Sequence, residues 1–139
     1  MIPTRRVSTI IFYDEKGNIL LQDRRRISKW GEEYGFFGGK IEEGETPEKA
    51  LKREIREELR IELSNYVLFK HQIRLIPEIN MRVDIHLFIA PLPDLRNVSV
   101  QEGDLAFMSF DDSFKIKMLS GDADLIKEVQ HYLAKNGTV

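Results

Sequence analysis

The chain contains no cysteine among its 139 residues. That excludes a disulfide framework, a zinc–thiolate site and a thiol nucleophile, and it is compatible with a reducing, cytoplasmic setting. Nowhere do 18 apolar residues run together, so no membrane span is expected. Met1-Ile2-Pro3-Thr4-Arg5-Arg6 leads into a β-like run and lacks the apolar stretch and small-residue cleavage site of a signal peptide. An excess of one charge is also missing. Lys and Arg number 21 against 23 Asp and Glu, for a formal net charge of −2. Domains that bind polyanions present a net basic surface, so this balance argues against long nucleic acid as a partner. With no repeat, low-complexity tract or linker, the length fits one domain, 1–139, able to bury roughly two-thirds of its unfolded surface.

The charges are unevenly distributed. Residues 1–30 hold seven basic and three acidic side chains, whereas 32–62 hold ten acidic and six basic. Arg6–Tyr13, rich in β-branched and aromatic residues, reads as a strand, and Asp14–Asn18 as a turn into a second strand from Ile19. A charged loop follows, then a short strand over Tyr34–Phe37 that ends at Gly38-Gly39. Thr46 is a helix cap with Pro47 at the first helical position, and neither Gly nor Pro recurs before Leu59. Tyr66–Ile76 and Met81–Ala90 read as strands, Leu105–Phe110 as another, and Asp124–Ala134 as an amphipathic terminal helix. His71, His86 and His131 stand alone in these elements and read as packed or surface residues. The chain is therefore α/β.

On a helical wheel of residues 48–60, Leu51, Ile55 and Leu59 form one buried stripe. Glu54, Glu57 and Glu58 share a separate arc that includes Ala50. Like charges at i, i+3 and i+4 destabilise a helix by a few tenths of a kcal/mol per pair. A solvated acidic face and a platform for a divalent cation both account for that arc. Gly39-Lys40 is followed by Ile41, which excludes a phosphate-binding P-loop, and no Gly-x-Ser-x-Gly or His-Glu-x-x-His occurs.

Gly39, then Glu45, then Arg53-Glu54-Ile55-Arg56-Glu57-Glu58-Leu59-Arg60-Ile61 resembles the Nudix box, G-x5-E-x7-R-E-U-x-E-E-x-G-U with U apolar. Residues 39–61 match every fixed position except the last glycine, where Arg60 stands. The resemblance, to the MutT-like branch, implies a sandwich of helices around a central mixed β-sheet. It also implies a pyrophosphohydrolase that uses Mg²⁺ or Mn²⁺ to cleave a diphosphate bond in a small nucleotide, a (deoxy)nucleoside triphosphate first. ADP-ribose, nucleotide sugars, dinucleoside polyphosphates, or a weakly active nucleotide-binding regulator are the alternatives.

By that resemblance Glu57 and Glu58 ligate the metal, Glu54 is a ligand or the base, and the Gly38 carbonyl joins the metal shell. Arg53 holds the glutamates, and Gly39 and Glu45 support the loop and helix. Glu102, in Gln101-Glu102-Gly103, matches the segment where this branch supplies a further acid, with Glu78 a weaker candidate. Arg24, Arg25 and Arg26 read either as phosphate contacts or as a solvated loop. Phe36, with Tyr34 and Trp30, is placed to stack on a base. Asp122, just before the terminal helix, lies where the branch places a base-reading Asn. Monomer and homodimer are both compatible with the sequence. Arg60 leaves the end of the helix open to an extra turn or a different exit.

Overall fold

The computed structural model describes residues 2–137. Its elements are β1 (Thr4–Tyr13), β2 (Asn18–Asp23), β3 (Tyr34–Gly35), β4 (Phe37–Lys40), α1 (Pro47–Leu59), β5 (Val67–Ile76), β6 (Met81–Pro91), β7 (Asp104–Ser109), the short turn α2 (Phe110–Ser113) and α3 (Asp122–Lys135). Asp14 organises the β1–β2 turn by accepting the backbone N–H groups of Lys16 at 2.8 Å and Asn18 at 2.9 Å, an Asx turn. The seven strands form one mixed sheet in the order β3-β2-β1-β6-β5, with β4 added to β1 and β7 to β2. β1 and β6 run parallel over their whole length.

Alternation along the strands sends side chains to two cores. Ile10, Phe12, Leu20, Phe37, Phe88 and Ala90 pack against Leu51, Ile55 and Leu59 of α1. Ile11, Ile19, Leu21, Val83, Ile85 and Leu87 face Leu125, Ile126, Val129 and Leu133 of α3. The sheet therefore lies between α1 on one face and α3 on the other. Each fully buried leucine or isoleucine of α1 contributes about 1.5–3 kcal/mol of transfer free energy. None of the helices among the described residues is long and apolar enough to cross a membrane.

Boundaries move by a residue or two at several elements, and two of the differences bear on the site. The segment expected as one strand over Tyr34–Phe37 is split at Phe36, and Gly38-Gly39 lie inside β4 instead of ending it. The reason is backbone accounting. β2 pairs only with Phe12 and Tyr13 of β1, so the earlier part of that edge needs another partner, and β4 supplies it through Val7↔Lys40, Ser8↔Gly39, Thr9↔Gly38 and Ile10↔Phe37. At the other end, Asp122 is the first residue of α3, with Gly121 as N-cap, so the helix starts two residues before Asp124.

α1 begins as its cap residues dictate, with Thr46 Oγ1 accepting the Lys49 N–H at 3.2 Å. Its other end shows what Arg60 does. No extra turn forms. Arg60 takes the left-handed conformation (φ 59°, ψ 35°), and its N–H closes on the Arg56 carbonyl. A non-glycine residue in that region costs about 1 kcal/mol. Arg60→Gly is therefore expected to stabilise the fold by up to about 1 kcal/mol, a rise in melting temperature of a few degrees. An unchanged or lower melting temperature would show that the cap carries no strain.

Candidate active site

The acidic arc of α1 is asymmetric in the folded protein. Glu58 is buried, at 4% exposure, whereas Glu57 reaches solvent. Glu58 Oε1 accepts the Gly38 N–H at 3.1 Å, and the Gln22 amide approaches Oε2 at 3.5 Å. No cationic side chain pairs with it among the described residues. Burial, with the charges of Glu54 and Glu102 nearby, pushes the Glu58 carboxyl up to about 9. Three acids brought together with one of them desolvated form a site suited to a hard divalent cation, which would replace the proton that Glu58 otherwise holds. The fit is supported by Gly39, where a Cβ would lie 2.5 Å from the Glu54 carboxyl carbon. A larger residue there would push the Glu54 carboxylate from this position.

Arg53 fixes the exposed side of this arc. Its Nε and Nη2 donate to Glu45 at 2.7 and 2.9 Å, its Nη2 also to the Lys40 carbonyl, and its Nη1 reaches Glu54 at 2.9 Å and Glu57 at 3.5 Å. The pairing drives Glu45 down to about 2. A guanidinium anchored on one side by a bidentate carboxylate presents its remaining donors in a fixed direction.

Glu102 lies in the β6–β7 loop. That loop is tied to α1 by two backbone bonds, Ser99 N–H to the Leu59 carbonyl at 3.0 Å and Gln101 N–H to the Glu58 carbonyl at 2.7 Å. The structure thus brings Glu54, Glu58, Gly38 and Glu102 into one neighbourhood. Gly38 enters this neighbourhood through its amide N–H, which donates to Glu58. Glu78 lies elsewhere and accepts the Ser120 N–H and hydroxyl, so its carboxylate serves as a loop cap. Of the three arginines, Arg25 pairs with Asp23 and Arg26 with Asp104. Arg24 is held between the Gln22 side-chain oxygen at 2.6 Å and Glu32 at 3.1 Å.

Arg24 leads from the carboxylates to a cavity on the α3 face of the sheet, lined among others by Trp30, Phe36, Ile85, Arg74 and Asp122. The Arg74 Nη2 donates to Asp122 Oδ1 at 2.6 Å, and both side chains are largely buried, at 16% and 9% exposure. The Nε and Nη1 of Arg74 have no partner among the described residues. Burial raises Asp122 to about 6 against the opposing pull of Arg74. Gly121 makes room for the guanidinium, since a Cβ there would meet Arg74 Cζ at 2.7 Å. Arg74, Glu32 and Gln22 were not singled out from sequence. Gln22 joins the two regions, donating to the Glu102 carbonyl at 2.9 Å as well as bonding Arg24. Its burial in an otherwise apolar strand is a signal visible only once the strand register is known.

The histidines also differ from their expected isolation. The β5–β6 register sets His71 opposite His86, and the rings stack at 4.0 Å with Asp84 beside them.

A model of the NUDIX domain matches residues 3–129. The chain belongs to the NUDIX family, and its relatives lie in the MutT-like branch. It is 41% identical over 64 residues to an 8-oxo-dGTP diphosphatase of Haemophilus influenzae, covering 46% of this chain and 47% of that protein. It is 38% identical over 60 residues to an 8-oxo-dGTP diphosphatase of Escherichia coli, covering 43% and 46%. The chain thus spans about half the length of the curated relatives it matches. The fold is that of the E. coli ORF135 protein in solution, with a TM-score of 0.74 at 24% identity over 99% of this chain and 96% of that one. It is similarly close to a Bacillus halodurans MutT protein, with a TM-score of 0.70 at 26% identity over 91% and 82%.

Proposed function

We propose that this protein is a pyrophosphohydrolase dependent on Mg²⁺ or Mn²⁺. It cleaves a diphosphate bond in a small nucleotide, with a (deoxy)nucleoside triphosphate yielding the monophosphate and pyrophosphate. The observation that carries this reading is the buried, cation-free Glu58 carboxyl set against Glu54 and Gly38. It connects through Gln22 and Arg24 to a cavity that ends on Arg74 and Asp122. Glu57, Glu58 and Glu54, with Glu102 and the Gly38 backbone, would hold the cation. Bound there, a divalent ion would offset the charge between carboxylates and phosphates and acidify a water molecule.

The rest of the work falls to the chain itself. Arg53, braced by Glu45, keeps Glu54 and Glu57 oriented, and Arg24 presents a fixed positive charge toward the phosphates. Phe36 and Trp30 offer aromatic faces to the base. The free donors of Arg74 beside the Asp122 acceptor complement a base edge that carries both an exocyclic oxygen and an N–H. The names of the relatives, 8-oxo-dGTP diphosphatases, support a nucleotide of that kind.

The test is product release with Mg²⁺ across canonical nucleoside triphosphates, 8-oxo-dGTP, ADP-ribose, nucleotide sugars and dinucleoside polyphosphates. Glu57→Gln is expected to lower turnover of the best substrate by about 10²-fold or more. If wild type and Glu57→Gln behave alike on every compound, the enzymatic reading fails and a binding role on the same scaffold replaces it.

A further inference from the structure

We propose a second metal site, for Zn²⁺ or a similar borderline transition ion, formed by His71, Asp84 and His86 where β5 joins β6 on the α1 face of the sheet. The three candidate ligand atoms lie within 4.8 Å of one another. Register creates the site. His71 and His86 are direct cross-strand partners, and Asp84, two residues before His86, points to the same face. Its carboxylate Oδ1 is 2.6 Å from His71 Nε2 and 3.9 Å from His86 Nδ1.

The independent sign of a missing partner is His86 Nδ1, a buried nitrogen with no hydrogen bond among the described residues. The side chain itself is only 12% exposed, and a buried polar atom is ordinarily paired. Two imidazoles and one carboxylate form a donor set that suits zinc, whereas magnesium favours oxygen ligands and retained water. Arg6 Nε, 3.7 Å from Asp84, is the cation an ion would displace, and the stacked rings would turn to aim their in-plane lone pairs at it. His71 is 49% exposed, so its proton can move to the other ring nitrogen in contact with water. Nε2 is then released for the ion, and solvent is left to complete the coordination.

The site lies apart from the acidic arc of α1, and it would clamp an edge strand. Among the described residues β5 is joined to the sheet only through β6, and an ion shared by His71 and His86 would cross-link the two.

The experiment is Zn²⁺ titration of the metal-stripped full chain in millimolar Mg²⁺, which competes for carboxylates and leaves imidazoles free, with the histidine ring signals separating this site from the acidic arc. Binding is followed by calorimetry and by the NMR signals of the histidine rings. One Zn²⁺ per chain is expected, with the His71 and His86 rings shifting and His131 still. His71→Gln, a change at a half-exposed position that should preserve folding, is expected to weaken binding by about tenfold or more. His131→Gln is expected to leave it unchanged. Competition of the Zn²⁺ by Mg²⁺, or equal affinity in His71→Gln and His131→Gln, would overturn the proposal.

Discussion

Glu58→Gln is expected to abolish nearly all turnover and, in the same molecule, to raise the stability of the metal-free protein at alkaline pH. The first effect follows from removing a cation ligand at the reacting centre, a loss of roughly 10²–10³-fold in kcat. The second follows from linkage. The Glu58 carboxyl titrates near 9 in the folded protein against an ordinary value of 4.5, so between those values the folded state holds a proton that the unfolded chain has released. This contribution is fully present below about pH 4.5 and is lost as the pH rises toward 9. Glutamine is never ionised, so it removes the pH-dependent loss.

At pH 8 the metal-free variant should exceed wild type by roughly 4 kcal/mol, with the two converging toward pH 5. Millimolar Mg²⁺ should narrow that gap by stabilising wild type more than the variant. Melting curves at pH 5 and 8, with and without Mg²⁺, check both halves. A variant that melts with wild type under all four conditions would mean that Glu58 is neither protonated nor a ligand.

Arg74→Met is expected to have the largest cost to folding, and that cost should depend on pH. Arg74 is the cation paired with Asp122, Asp122 buried and Arg74 largely so. Removing one member of such a pair leaves an uncompensated charge and costs about 3–5 kcal/mol. Asp122 already sits near 6 with Arg74 in place. Without it the carboxyl rises further and relieves the penalty by taking up a proton. The destabilisation should therefore be largest at pH 8 and much smaller at pH 5, where wild type and variant are both protonated. Arg74→Met/Asp122→Leu should recover most of the loss. On substrates, the single variant should raise KM for the preferred base by about tenfold and flatten discrimination between bases, with kcat less affected. A fall in kcat without a change in KM would place Arg74 outside base recognition.

The parts of the fold and site that were legible in the sequence are those written at short range. α1 was readable because Thr46, Pro47 and the stripe of Leu51, Ile55 and Leu59 all lie within one segment. Its spacing also grouped Glu54 with Glu58, whose different fates needed the tertiary structure. Burial depends on β4, whose extent is hidden in the sequence because the need of β1 for a second partner is not visible within residues 34–40. The Arg74–Asp122 pair spans 48 positions and leaves no local pattern. The same holds for Gln22, whose three partners come from three different loops or helices. The histidine pair is an intermediate case: the alternation of Asp84 and His86 is local, but the residue opposite them is set by register, which a bulge between Leu68 and Lys70 shifts. Arg60 shows the reverse error. A missing glycine suggested a changed helix end, yet the hydrogen bond to Arg56 and the tethered loop hold the backbone in place.

The two amides that cap α1, those of Ser99 and Gln101, bear on how such a chain can vary. They dock an irregular loop onto the last carbonyls of the helix, so the position of Glu102 is measured from the helix end rather than from the strands on either side. Adding one turn to α1 would carry those carbonyls about 5 Å along the axis and strand the loop. Lengthening the loop between residues 99 and 101 would break the same match from the other side. The two segments are interlocked, and their lengths can change only in concert.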